Sequence, residues 1–219
     1  GTSYGVIVNN GFGELSYILG VENIHTTDFN DIFTGDTNKN IVNLYGGDDT
    51  AFLSNGADTI DGGANSDVTS GGGDWIDGSY TLGGAIYLNS NTEFMGTQSG
   101  RITNFEHIRG SAFNDYRLQG NAGVNSILGM AGNDTLVGLG GNDYLDGGDG
   151  NDTVSYSEIG VVSPSKIVVH FDTAIKTVED GFGDTDTLVS IETLIGSTQN
   201  DTFYGSTTSD TFLSGGGQD

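Results

Sequence analysis

Cysteine is absent from the 219 residues, so neither a disulfide framework nor a thiolate metal site is available, and the redox compartment stays open. Basic residues are scarce: Lys and Arg total 6 against 30 Asp and Glu, for a formal net charge of -24. Such a surface repels nucleic acid and anionic membranes and favours cations as partners. Proline occurs once, which excludes a Pro-rich linker, and the 38 glycines lack the every-third-residue period of collagen. No apolar run reaches the roughly 18 residues of a membrane span. The opening GTSYGVIVNN carries no basic n-region, so no signal peptide is expected, and with no initiator Met the sequence reads as a piece of a longer chain. A chain of this length with 34% hydrophobic residues has room for a sizeable core, in one long domain or two short ones.

What the chain does have is periodicity. GMAGNDTLVGLGGNDYLDGGDGNDTVS, residues 129–155, is three nine-residue units in frame, each with Gly first and fourth and Asn-Asp fifth and sixth. The period recurs from Thr26 to Ser70 (TTDFNDIFT, GDTNKNIVN, LYGGDDTAF, LSNGADTID, GGANSDVTS) and again in GSTQNDTFY, GSTTSDTFL and SGGGQD. The sixth places are Asp31, Asn40, Asp49, Asp58 and Asp67, then Asn125, Asp134, Asp143 and Asp152, then Asp201, Asp210 and Asp219. A longer repeat aligns LGVENIHTTDFND, ITNFEHIRGSAFND and LVSIETLIGSTQND, which brings Glu22, Glu106 and Glu192 into register. Ahead of each lies an alternating stretch, YGVIVNN, GAIYLNSN or KIVVHFDT, whose period of two reads as a half-buried strand. The expected modules are 1–78, 79–155 and a partial 156–219, each of strands followed by nonapeptides.

Glycine recurs too often for any helix, and the eighth places are apolar: Phe33, Val42, Ile60, Ile127, Leu136, Leu145, Val154, Phe203 and Phe212. Each unit is therefore a tight turn and a short strand, with Gly supplying positive φ and the neighbouring Asn and Asp tolerating it.

These units resemble the G-G-x-G-x-D-x-U-x nonapeptides of the RTX, or haemolysin-type, calcium-binding family. The resemblance covers roughly half the residues as nonapeptides. It implies an all-β fold, a parallel β-roll (a β-helix or solenoid) with two nonapeptides per coil and intervening strand segments. It also implies several Ca²⁺ ions between stacked turns, and passage through the type I secretion machinery to an extracellular destination, secreted or on a cell surface.

Geometry supports the ion. With 18 residues per coil, residues i and i+18 lie one strand spacing apart, roughly 4.8 Å. Two carboxylate oxygens, each about 2.4 Å from a shared Ca²⁺, span a similar distance. Backbone carbonyls of the Gly-rich turns would complete the shell, so Gly129, Gly132, Gly138, Gly141, Gly147 and Gly150 join the candidate metal-site residues. The pairs meeting the rule are Asp31 with Asp49, Asp49 with Asp67, Asp134 with Asp152, and Asp201 with Asp219. Asn40 with Asp58 and Asn125 with Asp143 replace one carboxylate by an amide, so weaker sites are expected there. Asp115 and Asp74 fall out of frame and read as edges of the roll. One buried side chain per nine residues cannot offset the entropy of ordering nine backbones, so folding is expected to depend on the metal.

The remaining features carry plainer readings. Glu22, Glu106 and Glu192 either cap or bind at module starts, or stand exposed at strand ends. The cluster EDGFGDTD, 179–186, reads as a solvated acidic loop, with Asp186 outside the ligand set. His25, His107 and His170 lack zinc-site spacing, and the sequons at Asn133, Asn151 and Asn200 are by-products of the repeat. Three functions stay in view: a calcium-loaded structural and secretion module of a larger exported protein; an adhesin or surface-layer binding module, or a row of outward Thr; and part of a polysaccharide-active enzyme such as a lyase or epimerase. No nucleophile elbow or convergent acid and base is visible, and there are too few cations to neutralise a uronate, so the chain is not expected to be an enzyme.

Overall fold

The computed structural model describes residues 6–9, 15–18, 21–54, 56–64, 72–88, 93–95, 98–157, 166–207 and 209–219. Among these, the chain forms 23 short strands and no helix, so no helix is long and apolar enough to cross a membrane. Most strands are three residues long because a glycine-bearing turn follows most of them. Successive side chains of a strand point to opposite faces, so the eighth-place residue of each unit turns inward while its neighbours turn out. Ile127, Leu136, Leu145 and Val154 are fully buried, as are Phe33 and Ile60; Phe203 and Phe212 are half-buried.

Through the repeat blocks, successive strands alternate between a 12-stranded and an 11-stranded sheet. Within the repeat blocks each strand pairs in parallel with the strand two units on, as Ile32–Thr34 does with Thr50–Phe52 and Thr135–Val137 with Thr153–Ser155. This 18-residue register is the parallel β-roll. The inward residues of the two facing sheets make one continuous core.

The second and third alternating stretches interrupt the roll with a shared device, whereas Val6–Asn9 of the first pairs antiparallel with both Leu15–Ile18 and Ile32–Thr34. Ala85–Tyr87 pairs in parallel with Arg117–Gln119, ahead of it in the chain, and antiparallel with Glu93–Met95. Glu93–Met95 pairs antiparallel with Gln98–Thr103, which lies parallel to Thr59–Asp61 behind it. The chain thus steps forward, doubles back and fills the gap, so the sheet continues without a break. Val168–His170, Lys176–Glu179 and Thr185–Val189 repeat the device in the other sheet, between Thr202–Tyr204 and Tyr144–Asp146. Sheet pairing also runs across both expected module boundaries: Trp75–Asp77 pairs with His107–Arg109, and Thr153–Ser155 with Thr193–Ile195.

Candidate calcium-binding turns

The sixth residue of each unit stands immediately before its strand, so parallel stacking lines these residues up. Their link is a specific hydrogen bond: the backbone N–H of one donates to a carboxylate oxygen of the residue one coil on. Asp31 donates to Asp49 Oδ1 at 2.7 Å, Asn40 to Asp58 Oδ1 at 2.8 Å, Asn125 to Asp143 Oδ1 at 2.8 Å, Asp134 to Asp152 Oδ1 at 2.8 Å and Asp201 to Asp219 Oδ1 at 2.7 Å. All five i, i+18 pairs in which both residues are described are therefore brought together. Asp67 lies outside the described residues.

Three readings need correction. The residue after Asp49 in its row is Asp74, whose Oδ1 accepts the Asp49 N–H at 2.8 Å; Asp74 is fully buried and is not an edge. Asp115 also continues a row. Its Oδ1 accepts the Gly84 N–H at 2.8 Å and its own N–H donates to Asp134 Oδ1 at 2.8 Å, the extra residue Tyr116 being extruded to 64% exposure. Asp186 is not solvated: it is fully buried, with Oδ1 accepting the Asp143 N–H at 2.9 Å and Oδ2 the Tyr156 hydroxyl at 2.8 Å. Of the two readings of the module-start glutamates, capping holds for Glu106 and Glu192: as longer substitutes in the rows, their Oε2 atoms accept the N–H of Asp74 at 2.9 Å and of Asp152 at 2.8 Å. Their even spacing in the long repeat was the available signal. For Asp74 and Asp186 the frame had been lost in sequence, and only strand pairing restores it.

The second oxygen of each carboxylate divides the turns into two kinds. In one kind the second residue of the unit is Ser, Thr, Asn or Asp, and it donates to that oxygen or to its amide counterpart. Thr27 N–H donates to Asp31 Oδ2 at 2.9 Å, Asn121 N–H to Asn125 Oδ1 at 2.8 Å, Ser197 N–H to Asp201 Oδ2 at 2.7 Å and Ser206 N–H to Asp210 Oδ2 at 2.6 Å. Ser54 reaches Asp58 Oδ2 through its hydroxyl at 2.8 Å. These turns are closed by their own hydrogen bond.

In the other kind the second residue has positive φ: Tyr45 (68°), Met130 (82°), Leu139 (79°) and Gly148 (93°). The fourth residue does too, as at Gly132 (123°), Gly141 (107°) and Gly150 (157°). The turn N–H groups are then directed elsewhere, and Oδ2 of Asp49, Asp134, Asp143 and Asp152 is buried with no hydrogen-bond partner. A buried unpartnered carboxylate oxygen is costly, and four in equivalent places mark a common cause.

The space beside those oxygens is lined by oxygen atoms. A Cβ built on Gly129 would lie 2.6 Å from Asp134 Oδ2 and 2.4 Å from the Gly147 carbonyl oxygen of the next coil. One on Gly147 would meet Asp152 Oδ2 at 2.5 Å and Ser190 O at 2.3 Å, and one on Gly138 would meet Asp143 Oδ2 at 2.3 Å. At Gly129 and Gly147 the first glycine thus leaves room where a carboxylate and a main-chain carbonyl converge, as Gly196 does in a self-closed turn. Among the described residues no three acidic or histidine side chains gather around one point, so each turn offers carboxylate plus carbonyl oxygen. An all-oxygen donor set of this composition suits a hard cation with a large, adaptable shell, and the residues present fit Ca²⁺.

Electrostatics agree. Burial, opposed by the Asp31 N–H and reinforced by the neighbouring carboxylates, holds Asp49 up to about 8, and Asp134 rises to about 7 by burial with the charges of Asp115 and Asp152. Asp143 reaches about 9, through burial and then the charges of Asp186, Asp180 and Asp184. Without a cation the stack holds its charge back by keeping protons.

A parallel β-roll with acidic turns stacked in rows defines a class of calcium-binding repeat architecture. The sequence matches the RTX calcium-binding nonapeptide repeat in four copies, over residues 19–51, 45–74, 119–154 and 190–219, more than half of the chain. The chain belongs to that family, whose repeats bind calcium. A comparison with curated proteins gives no match.

Proposed function

We propose that this chain is the calcium-loaded structural and export region of a larger secreted protein, ordered by Ca²⁺ outside the cell. The observation that carries the reading is the buried, unpartnered Oδ2 at Asp49, Asp134, Asp143 and Asp152. In the proposal these four carboxylates, with the carbonyls of the Gly-rich turns around Gly129, Gly132, Gly138, Gly141, Gly147 and Gly150, hold the principal ions. The self-closed turns of Asp31, Asn40, Asp58, Asn125, Asp201 and Asp210 contribute weaker sites or none. Modules 1–78, 79–155 and 156–219 act as one stack, since a coil buries its face only against its neighbours. The role is structural rather than catalytic.

In a compartment with little free calcium the rows repel and the chain is a thread fit for a secretion channel. Outside, sites with dissociation constants on the order of 10⁻⁴ to 10⁻³ M fill. The test is far-UV circular dichroism in excess chelator, in a few millimolar Ca²⁺ and in the same Mg²⁺. A coil spectrum that turns into a β spectrum reversibly with calcium, and poorly with the smaller, strictly octahedral Mg²⁺, is the expected result. A fully folded chain in excess chelator overturns the proposal.

A further inference from the structure

The loop 180–186 lies outside every residue range matched by the repeat family, yet it is stacked on the turn 138–143 as another repeat would be. Asp143 N–H donates to Asp186 Oδ1 at 2.9 Å, Gly141 N–H to Asp184 Oδ2 at 3.1 Å and Thr185 N–H to Asn142 Oδ1 at 2.8 Å. The Phe182 ring sits over Gly140, 3.5 Å from where a Cβ would be. Strand Thr185–Val189 then follows in register on Tyr144–Asp146.

Two buried carboxylate oxygens at this junction lack partners. Asp143 Oδ2 is one; Asp143 is 2% exposed. The other is Asp180 Oδ2, on a residue 5% exposed. Asp180 is held rigidly, because its Oδ1 accepts the N–H of Phe182, Gly183 and Asp184, each at 2.9 Å. Those three donors sit on one oxygen and leave the second with nothing. Both oxygens of Asp186 are already hydrogen-bonded, one by the Asp143 N–H and the other by the Tyr156 hydroxyl, so Asp186 orients the pair.

We infer that the loop 180–186 completes a divalent-cation site with the 138–143 turn, in which Asp143 Oδ2 and Asp180 Oδ2 are the carboxylate ligands. The site rests on the calcium reading of the repeat turns but uses a ligand that no nonapeptide contains. Main-chain carbonyls of the two turns fill the remaining positions, as a Ca²⁺ shell of six to eight oxygens requires. Its consequence is architectural: the antiparallel insert is clamped to the roll by an ion at the place where repeat pairing would otherwise stop.

The experiment is calorimetric Ca²⁺ titration of the full chain and of Asp180→Asn, which keeps an oxygen for the three N–H donors and removes the ligand. Asp172→Asn, an exposed acidic residue on a neighbouring loop, is the control. Asp180→Asn is expected to lose one ion from the stoichiometry, or to weaken one site at least tenfold, with Asp172→Asn unchanged. Wild-type stoichiometry and affinity in Asp180→Asn overturns the inference while leaving the repeat sites intact, whereas absence of calcium uptake by the wild type overturns the reading of the repeats themselves. Should Asp180→Asn not fold in calcium, a crystal of the wild-type chain grown in calcium decides. An ion bound to both Asp143 and Asp180 is expected, and an ion that leaves Asp180 out, or none there, overturns the site.

Discussion

The turns of Asp134 and Asp152 and the turn of Asp186 reach the same place in the stack from different sequences. The first two come from regular G-x-x-G-N-D units with positive φ at the second and fourth residues. The third comes from DGFGDTD, where Gly183 alone is recorded in the left-handed region (102°) and Asp180 rather than a glycine organises the N–H groups. Strand register, set by the buried eighth-place residue, delivers an acidic residue to the row whether or not the turn before it obeys the motif. The motif decides something narrower, namely whether the second carboxylate oxygen is left open to a cation.

The largest expected effect concerns the protons that the rows hold. Asp134 is held at about 7 and Asp143 at about 9, against 3.8 for an ordinary carboxylate. A folded-state value above the unfolded one means that the folded state binds the proton more tightly. That contribution to stability is complete below pH 4 and is lost as pH rises through 7 to 9. In chelator, lowering the pH from 9 to 5 is therefore expected to increase β structure by circular dichroism, and adding calcium at pH 7 to release protons measurable in buffers of different ionisation enthalpy. A β signal in chelator that is flat or grows with pH contradicts this account of the rows.

The β-roll, its two-unit coil and the pairs around Asp134, Asp152, Asp201 and Asp219 were legible in the sequence, because period nine and apolar eighth places survive there unbroken. Asp74, Asp115 and Asp186 were not, because each has gained or lost residues relative to the frame. Spacing counts residues, whereas the sheet counts only paired ones, so Tyr116 bulges out and the row closes over it. The split between closed and open turns was also missed, although its signal stands in the second place of each unit: Ser, Thr, Asn or Asp against Tyr, Met, Leu or Gly.

A smaller effect separates close approach from backbone strain. Gly147→Ala puts a methyl group 2.3 Å from Ser190 O and 2.5 Å from Asp152 Oδ2, so it overpacks the turn at the place proposed for the cation. Gly183→Ala meets nothing within 4 Å and suffers only from its φ of 102°. Urea unfolding in millimolar calcium is expected to show a loss of about 3 kcal/mol for Gly147→Ala, at the upper end of overpacking costs. The loss for Gly183→Ala should be about 1 kcal/mol, the penalty of a left-handed L-residue. Equal losses would mean that the first glycine of the unit is not reserved for the ion.

The smallest effect concerns why an open turn tolerates a side chain at its second place. Tyr45, Met130 and Leu139 adopt φ of 68°, 82° and 79° where Gly148 does the same without a Cβ. Each L-residue there costs about 1–2 kcal/mol in the folded state, while replacing it by glycine costs about 0.5–1 kcal/mol through the freer unfolded chain. Met130 is 44% exposed, so its side chain adds little burial to that balance. Met130→Gly is therefore expected to raise stability in calcium by about 0.5 kcal/mol, read from the urea midpoint at unchanged slope, and to leave calcium stoichiometry as it was. Leu139, half-buried, gives back part of the gain and should come out near neutral. A loss of 1 kcal/mol or more in Met130→Gly would show that side-chain packing, and not the left-handed backbone, holds the turn open.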